Sequence, residues 1–184
     1  AFTSPAFAQA TFEEAMSLFE DQNYAEARAI AEPLANADDP RAMAMVAAIL
    51  QKGLGTPIDI VGAKSWFQKA AEKNHPGAQL SLAMLLLDPA AGEADPEAAA
   101  VWLEKAATGG NAQAQYNLGL VYVGRYGTAP DWVKAAQWFR KAADQSHPAA
   151  VYNLAACHYN GFGVKQDFAE AFRLGLLQIG KRGV

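Results

Sequence analysis

The chain has one cysteine and no long apolar run. With Cys157 as the only thiol, no intrachain disulfide can form and too few thiols remain for a cysteine-type structural zinc site. The longest mostly apolar stretch, at residues 80–87, is far shorter than the roughly 20 residues that a membrane-spanning helix needs. We therefore expect no integral membrane segment.

Basic residues are scarce and scattered. The chain has 15 Lys and Arg against 19 Asp and Glu, which gives a formal net charge of -4. Phosphate binding needs clustered cations, so we expect no nucleic-acid partner. Hydrophobic residues make up 52% of the chain and charged residues 18%, a balance that allows a substantial core to be buried.

A period of 36 residues organises the chain. Within one unit, Leu118, Gly119 and Tyr122 follow Ala114 at offsets that share one face of a helix. A Gly-containing turn, an Asp that caps the next helix and a second helix then follow. Three series recur at this period: Trp66, Trp102 and Trp138; Asp59, Asp95, Asp131 and Asp167; and Lys-Ala-Ala at 69–71, 105–107 and 141–143.

Three polar residues stand at the start of the first helix of successive units. His75 and His147 each precede a proline, and Asn111 takes the corresponding place, so all three are predicted to be helix-entry residues. Equivalent positions lie a whole repeat apart, which disfavours a metal site or acid-base pair, and we predict no metal and no cofactor. His158 is expected to be a partly buried structural residue, and Pro33 to end or kink its helix.

No nucleophile has a plausible adjacent base. Ser65, Ser81 and Ser146 lie on or beside predicted helices without a matching Lys or His signature. Cys157 and His158 are sequence neighbours, which point in different directions on a helix. The sequence therefore predicts no catalytic residue and no enzyme.

These recurrent residues resemble Sel1-like repeats, which are relatives of the tetratricopeptide repeat. The best match is AQYNLGLVY at 114–122 with WFRKAA at 138–143. The resemblance implies an all-α fold, a right-handed α-solenoid of stacked antiparallel helix pairs. The predicted organisation is an N-terminal segment at 1–10, a tetratricopeptide-like hairpin at 11–36, Sel1-like repeats at 40–75, 76–111, 112–147 and 148–179, and a tail at 180–184.

The resemblance also implies that the first helices line a concave groove that binds a protein or peptide. Tyr116 with Asn117, and Tyr152 with Asn153, pair an aromatic ring with an amide, which suits an extended peptide ligand. The alternative is that the two asparagines only fasten neighbouring helices. The predicted partner-binding residues are Gln113, Tyr116, Asn117, Leu120, Tyr152, Asn153, Tyr159 and Asn160.

Two other functions compete with a groove-binding scaffold. Some cysteine-rich relatives are credited with hydrolysis of cell-wall or antibiotic substrates, but they carry a disulfide within each repeat and this chain has none. The second competing function is that of a purely architectural subunit, which is held by its ends.

The C-terminal helix is too apolar for the solvent-facing end of a solenoid. A further helix, self-association or the partner itself is expected to cover it. Its apolar or small residues are Phe168, Ala171, Phe172, Leu174, Gly175, Leu176, Leu177 and Ile179.

The first ten residues, AFTSPAFAQA, resemble the end of a secretory signal peptide, with small residues at Ala6 and Ala8 around Phe7. We therefore expect a periplasmic or secreted bacterial protein. The alternative is an ordinary linker in a cytoplasmic protein.

Overall fold

The computed structural model describes residues 11–180, with side chains as far as residue 175. The predicted N-terminal segment, residues 181–184 of the predicted tail and the side chains of Leu176, Leu177 and Ile179 lie outside that part. No described residue belongs to a strand, as an all-α fold requires. The α-helices are α1 (Phe12–Glu20), α2 (Tyr24–Asn36), α3 (Pro40–Lys52), α4 (Ile60–Glu72), α5 (Pro76–Leu87), α6 (Pro96–Thr108), α7 (Ala112–Tyr122), α8 (Trp132–Asp144), α9 (Pro148–Asn160) and α10 (Phe168–Gly180).

Side-chain caps start the helices where the sequence predicts them. Asp59, Asp95 and Asp131 accept backbone N–H groups of the first turns of α4, α6 and α8 at 2.8, 2.9 and 3.0 Å. Thr11 and Glu14 form a reciprocal capping box at the start of α1. These contacts satisfy amide groups that a helix cannot pair internally, which explains why an Asp recurs at each of these positions.

Helix ends also follow the predicted turn chemistry, with one exception. Gly53 and Gly161 end α3 and α9 with φ of 65° and 75°, in the left-handed region that glycine adopts without steric cost. The sequence DPAAG at 88–92 predicts a differently shaped turn after α5, and Asp88 there caps a 3-10 helix at Pro89–Ala91. Pro33 does not end its helix, since α2 continues to Asn36, and a kink at Pro33 stays a prediction.

The chain forms two compact units, one ending at Leu82 and the other beginning at Ala83. In the first unit, α1 to α4 pack in order, each on the next. In the second, α6 to α10 do the same. Short connections make consecutive helices neighbours, so the buried alanines of one helix allow the next to approach closely.

The tryptophans recur within an Ala-lined stripe, which predicts that they belong to the core, but in the structure they lie at its edge. Each ring is only partly buried, and the Lys three residues later lies over it. The ammonium group lies 3.8 Å from the ring centroid in the Trp138–Lys141 pair, a cation–π geometry. The fully buried residue is the one after each tryptophan, as Phe139 shows. The equivalent pairs are Trp66 with Lys69 at 4.3 Å and Trp102 with Lys105 at 4.1 Å.

Candidate interaction surface

Helix α9 covers the helix pair that precedes it. The Tyr116 ring on α7 stacks on the His147 ring, with centroids 4.7 Å apart and planes at 23°. The Gln113 side chain lies 3.1 Å from His147 Nε2, and Gln145 donates to Gln115 at 2.8 Å. Leu120 packs against the buried cluster that contains the apolar face of α9. Gln113, Tyr116 and Leu120 thus hold the start of α9 in place.

His147 is a helix-entry residue, as predicted. Its Nδ1 accepts the backbone N–H of Ala150 at 3.3 Å, and His75 Nδ1 accepts that of Ala78 at 3.1 Å. Because Nδ1 must accept, each ring is neutral and carries its hydrogen on Nε2. Burial lowers the pKa of His147, and it also lowers the pKa of His75.

Asn117 faces the interior of its own unit. Its side chain is 4% exposed, its amide nitrogen lies 3.1 Å from Met84 Sδ, and its oxygen accepts from Gln113 at 3.3 Å. These contacts are the helix-fastening role that the sequence left as the alternative. Asn153, at the equivalent position one repeat later, is half-buried. Direct partner binding by either amide stays a prediction.

The other predicted residues, Tyr152, Tyr159 and Asn160, meet in a pocket between α9 and α10. Tyr152 and Tyr159 are 72% and 59% exposed, and Phe172, across the pocket, is 70% exposed. The rings of Tyr159 and Phe168 make an edge-to-face contact, with their centroids 5.3 Å apart. The pocket encloses about 620 Å³, and none of its lining residues up to residue 175 is charged. These residues are Tyr152, Ala155, Ala156, Tyr159, Asn160, Phe168, Ala171, Phe172 and Gly175.

The Sel1 repeat family matches residues 40–75, 76–111, 112–147 and 148–175. This chain belongs to the Sel1 repeat family. Its fold is therefore an α-solenoid, which commonly serves as a protein-interaction scaffold and is generally not enzymatic. No curated protein matches the chain.

Solved structures of Sel1 repeat proteins share this fold. A Sel1 repeat protein from Oxalobacter formigenes is 25% identical, with a TM-score of 0.85 over 93% of this chain and 70% of that one. A protective antigen of uropathogenic Escherichia coli, which displays an SLR fold, is 26% identical, with a TM-score of 0.78. It aligns with 85% of this chain, which spans only 33% of the antigen. A sel1 repeat protein from Klebsiella pneumoniae is 23% identical, with a TM-score of 0.59. The alignment covers 91% of this chain and 84% of the Klebsiella protein, and at this identity it supports the fold alone.

A charged group fixes α10 of the last Sel1 repeat to α8. Arg173 donates two hydrogen bonds to the Glu170 carboxylate at 2.6 and 2.8 Å, and Arg140 of α8 donates a third at 3.2 Å. The hydrogen bonds from Arg173, assisted by Arg140, lower the pKa of Glu170 to about 2. Arg140 also lies 2.9 Å from Nε2 of His158, which is half-buried as predicted.

The thiol and the candidate metal ligands of the described residues do not form a reactive or metal-binding site. Cys157 is buried inside α9, and burial raises the pKa of its thiol, so the reactive thiolate is disfavoured. Among the described residues, no group of three His, Cys, Asp or Glu side chains is placed to hold a metal ion. Within the same part of the chain, no helix has the length and hydropathy to cross a bilayer.

Sequence reasoning treated the groove and the C-terminal helix as two surfaces, whereas the last Sel1 repeat joins them in one pocket. It assigned Phe168, Phe172 and Gly175 only to the second surface, and it missed Ala155 as a lining residue. The 36-residue period is the signal that could have identified these lining residues, because the equivalent residues of α7 and α8 in the preceding repeat lie beneath α9.

Proposed function

We propose that this Sel1 repeat chain is a non-enzymatic scaffold that binds a protein segment in the pocket between α9 and α10. The supporting observation is the group of large exposed aromatic side chains around that pocket, including Tyr152 and Phe172. Aromatic side chains in concave apolar sites supply much of the energy of protein-protein contacts, and exposed apolar patches in soluble proteins mark such sites.

The eight predicted partner-binding residues have different roles in this proposal. Tyr152, Tyr159 and Asn160 contact the partner, because they line the pocket. Gln113 and Tyr116 act indirectly, since their contacts with His147 fix the start of α9. Asn117 and Leu120 belong to the packing beneath, and Asn153 is half-buried beside Tyr152.

The lining chemistry indicates the kind of partner surface. Among the described residues, no charged side chain lines the pocket, so a charged group placed against them would lose its hydration without gaining an ion pair. Tyr hydroxyl groups at Tyr152 and Tyr159 provide polar atoms on otherwise apolar rings. An apolar protein segment with a few hydrogen-bonding groups fits this lining.

Site-specific photo-crosslinking tests the proposal. A photoreactive amino acid is placed at Phe172, and at Val101 of α6 as a control, because Val101 is also exposed. The partner crosslinked only from position 172 is then identified, purified and titrated against Phe172→Ser and Val101→Ser variants. We expect about a tenfold or greater loss of affinity for Phe172→Ser alone. Identical crosslinks from both positions, or undiminished binding by a folded Phe172→Ser variant, would contradict the proposal.

Export to a bacterial periplasm is also proposed, on the signal-like pattern of residues 1–10. Fractionation of the native cells with an antibody against the chain tests it. Recovery with the cytoplasmic markers would exclude export.

A further inference from the structure

We infer that the occupant of this pocket is an amphipathic α-helix that places one aromatic side chain beside Gly175. This inference rests on the proposed function and adds the secondary structure and the anchor residue of the partner. It depends on a comparison between the last repeat and the one before it.

The equivalent face of the preceding repeat is already covered by a helix. Tyr116 and Leu120 of α7, with Val123 just after that helix, pack against the buried cluster that includes Val151 and Leu154 of α9. The 36-residue period places Tyr152, Ala156 and Tyr159 at the same positions of the last repeat. The fold itself thus shows that a groove of this kind receives an α-helix.

One large side chain of the preceding repeat has no counterpart in the last. A Cβ atom at Gly119 would lie 2.5 Å from Cε1 of Phe139, so the Phe139 ring fills the space between α7 and α8. One period later, Gly119 is replaced by Ala155 and Phe139 by Gly175. Within the part of the chain that the structure describes, a Cβ atom at Gly175 would meet no heavy atom within 4 Å. The pocket therefore has open apolar space where the preceding repeat holds a phenyl ring.

The walls around that space favour an aromatic anchor. Phe172 replaces Ala136, which is buried in the preceding repeat, and Tyr159 replaces Val123. Phe168 completes the aromatic wall by its edge contact with Tyr159. Aromatic rings gain from offset and edge-to-face contacts with one another beyond the area that they bury. A Phe-like side chain therefore suits the space better than a small or charged one.

Helix α9 provides a template for the occupant, and a peptide with its sequence serves as the probe. The parent probe is a fluorescein-labelled peptide of residues 147–160 with Cys157→Ser. The substitutions Tyr152→Lys and Ala156→Asp, on the face that α9 leaves outward, provide an amine and a carboxyl group that condense to a lactam with loss of water. This bridge supplies the helicity that a short peptide lacks. Four derivatives each carry one Phe in place of a residue that α9 buries, at position 150, 151, 154 or 157.

Fluorescence anisotropy with the whole protein gives the affinities. We expect at least one Phe derivative to bind about tenfold more tightly than the parent peptide. The protein variant Gly175→Phe fills the space with its own ring and should lose that gain. Gly175→Ala is the matched control and should keep it, because a methyl group leaves most of the space open. Circular dichroism shows whether both variants remain folded.

The outcomes separate this inference from the proposed function. If no Phe derivative exceeds the parent, or if Gly175→Phe binds every peptide as the unmodified protein does, the inference is wrong. The proposed scaffold function would survive such a result if a natural partner still crosslinks from position 172 and loses affinity for the Phe172→Ser variant. Concentration-dependent dimerisation that Phe172→Ser abolishes would assign the pocket to a second copy of the chain and would also overturn the inference.

Discussion

The ring of Phe139 on α8 occupies the space that a side chain at position 119 of α7 would need. A Cβ atom at Gly119 would lie 2.5 and 2.7 Å from two ring carbons, closer than real side-chain contacts allow. Gly119 is buried and Phe139 is 1% exposed, so neither can relax toward solvent. This contact sets how closely α7 and α8 approach each other.

Gly119→Ala should therefore destabilise the protein although alanine favours helices. We expect the free energy of unfolding to fall by about 1 to 2 kcal/mol, because the cost of overpacking exceeds the gain in helix propensity. Urea denaturation measures the change. Gly175→Ala is the control, since its methyl group would meet no atom of the described residues within 4 Å. This substitution should be neutral or should stabilise the protein by up to about 1 kcal/mol. A Gly119→Ala variant as stable as the unmodified protein would show that the Phe139 ring moves freely.

Local patterns made the helix pairs and caps predictable from the sequence. An Asp cap needs only an amide three residues away, so Asp131 could be assigned without knowledge of distant contacts. The burial of Asn117 depends on Met84, which lies 33 residues away, and no nearby residue encodes that contact. Tyr116 and Tyr152 occupy the same position in their repeats, yet among the described residues only Tyr116 has the cap of a following helix, His147, stacked on its ring. Which aromatic residues stay exposed is therefore a tertiary property.

The helix cap at His147 should make stability depend on pH. Burial lowers the pKa of His147 below its ordinary value of about 6.5, so the folded chain keeps the neutral ring that accepts the Ala150 amide. As the pH falls below about 7, the unfolded chain takes up the proton first, and the free energy of unfolding falls until the folded ring is also protonated. Denaturation midpoints between pH 7 and 5 should show this loss.

His147→Asn should reduce that pH dependence. Asn111 already caps α7 at the equivalent position, where its side chain accepts the Ala114 amide at 2.9 Å, so the substitution keeps a cap that does not titrate. Carboxyl groups contribute little above pH 5, so the comparison isolates the imidazole. Equal slopes for both proteins would mean that His147 has the same pKa in the folded and unfolded chains.

The buried thiol of Cys157 should resist modification in the folded protein. Burial raises its pKa and blocks access, so reaction with a thiol reagent requires local or global opening. At pH 8 we expect the native protein to react at least about tenfold more slowly than the protein in urea. A Ser65→Cys variant that also carries Cys157→Ala is the control, because position 65 is exposed on α4 and should react at nearly the same rate in both states. Fast reaction of native Cys157 would indicate frequent opening of α9.

The Glu170 carboxylate should stabilise the attachment of α10 to α8 at neutral pH. Hydrogen bonds from Arg173 and Arg140 lower the pKa of Glu170 to about 2, below the value of about 4.3 for an unfolded chain. Its contribution is therefore present above that unfolded value and is lost as the pH falls toward 2. Glu170→Gln keeps the shape but removes the charge, and we expect it to lower the free energy of unfolding by about 1 kcal/mol at pH 7, since the ion pairs are partly solvated.

The difference between Glu170→Gln and the unmodified protein should shrink between pH 5 and pH 3, because Glu170 takes up a proton in the unfolded chain over that range while the folded chain still resists it. Denaturant titrations at both pH values measure it. Glu104→Gln, on the exposed side of α6, is the control for a general effect of net charge and should change stability equally little at both pH values. If Glu170→Gln were as stable as the unmodified protein at pH 7, Arg140 would not hold α10 to α8 through this carboxylate.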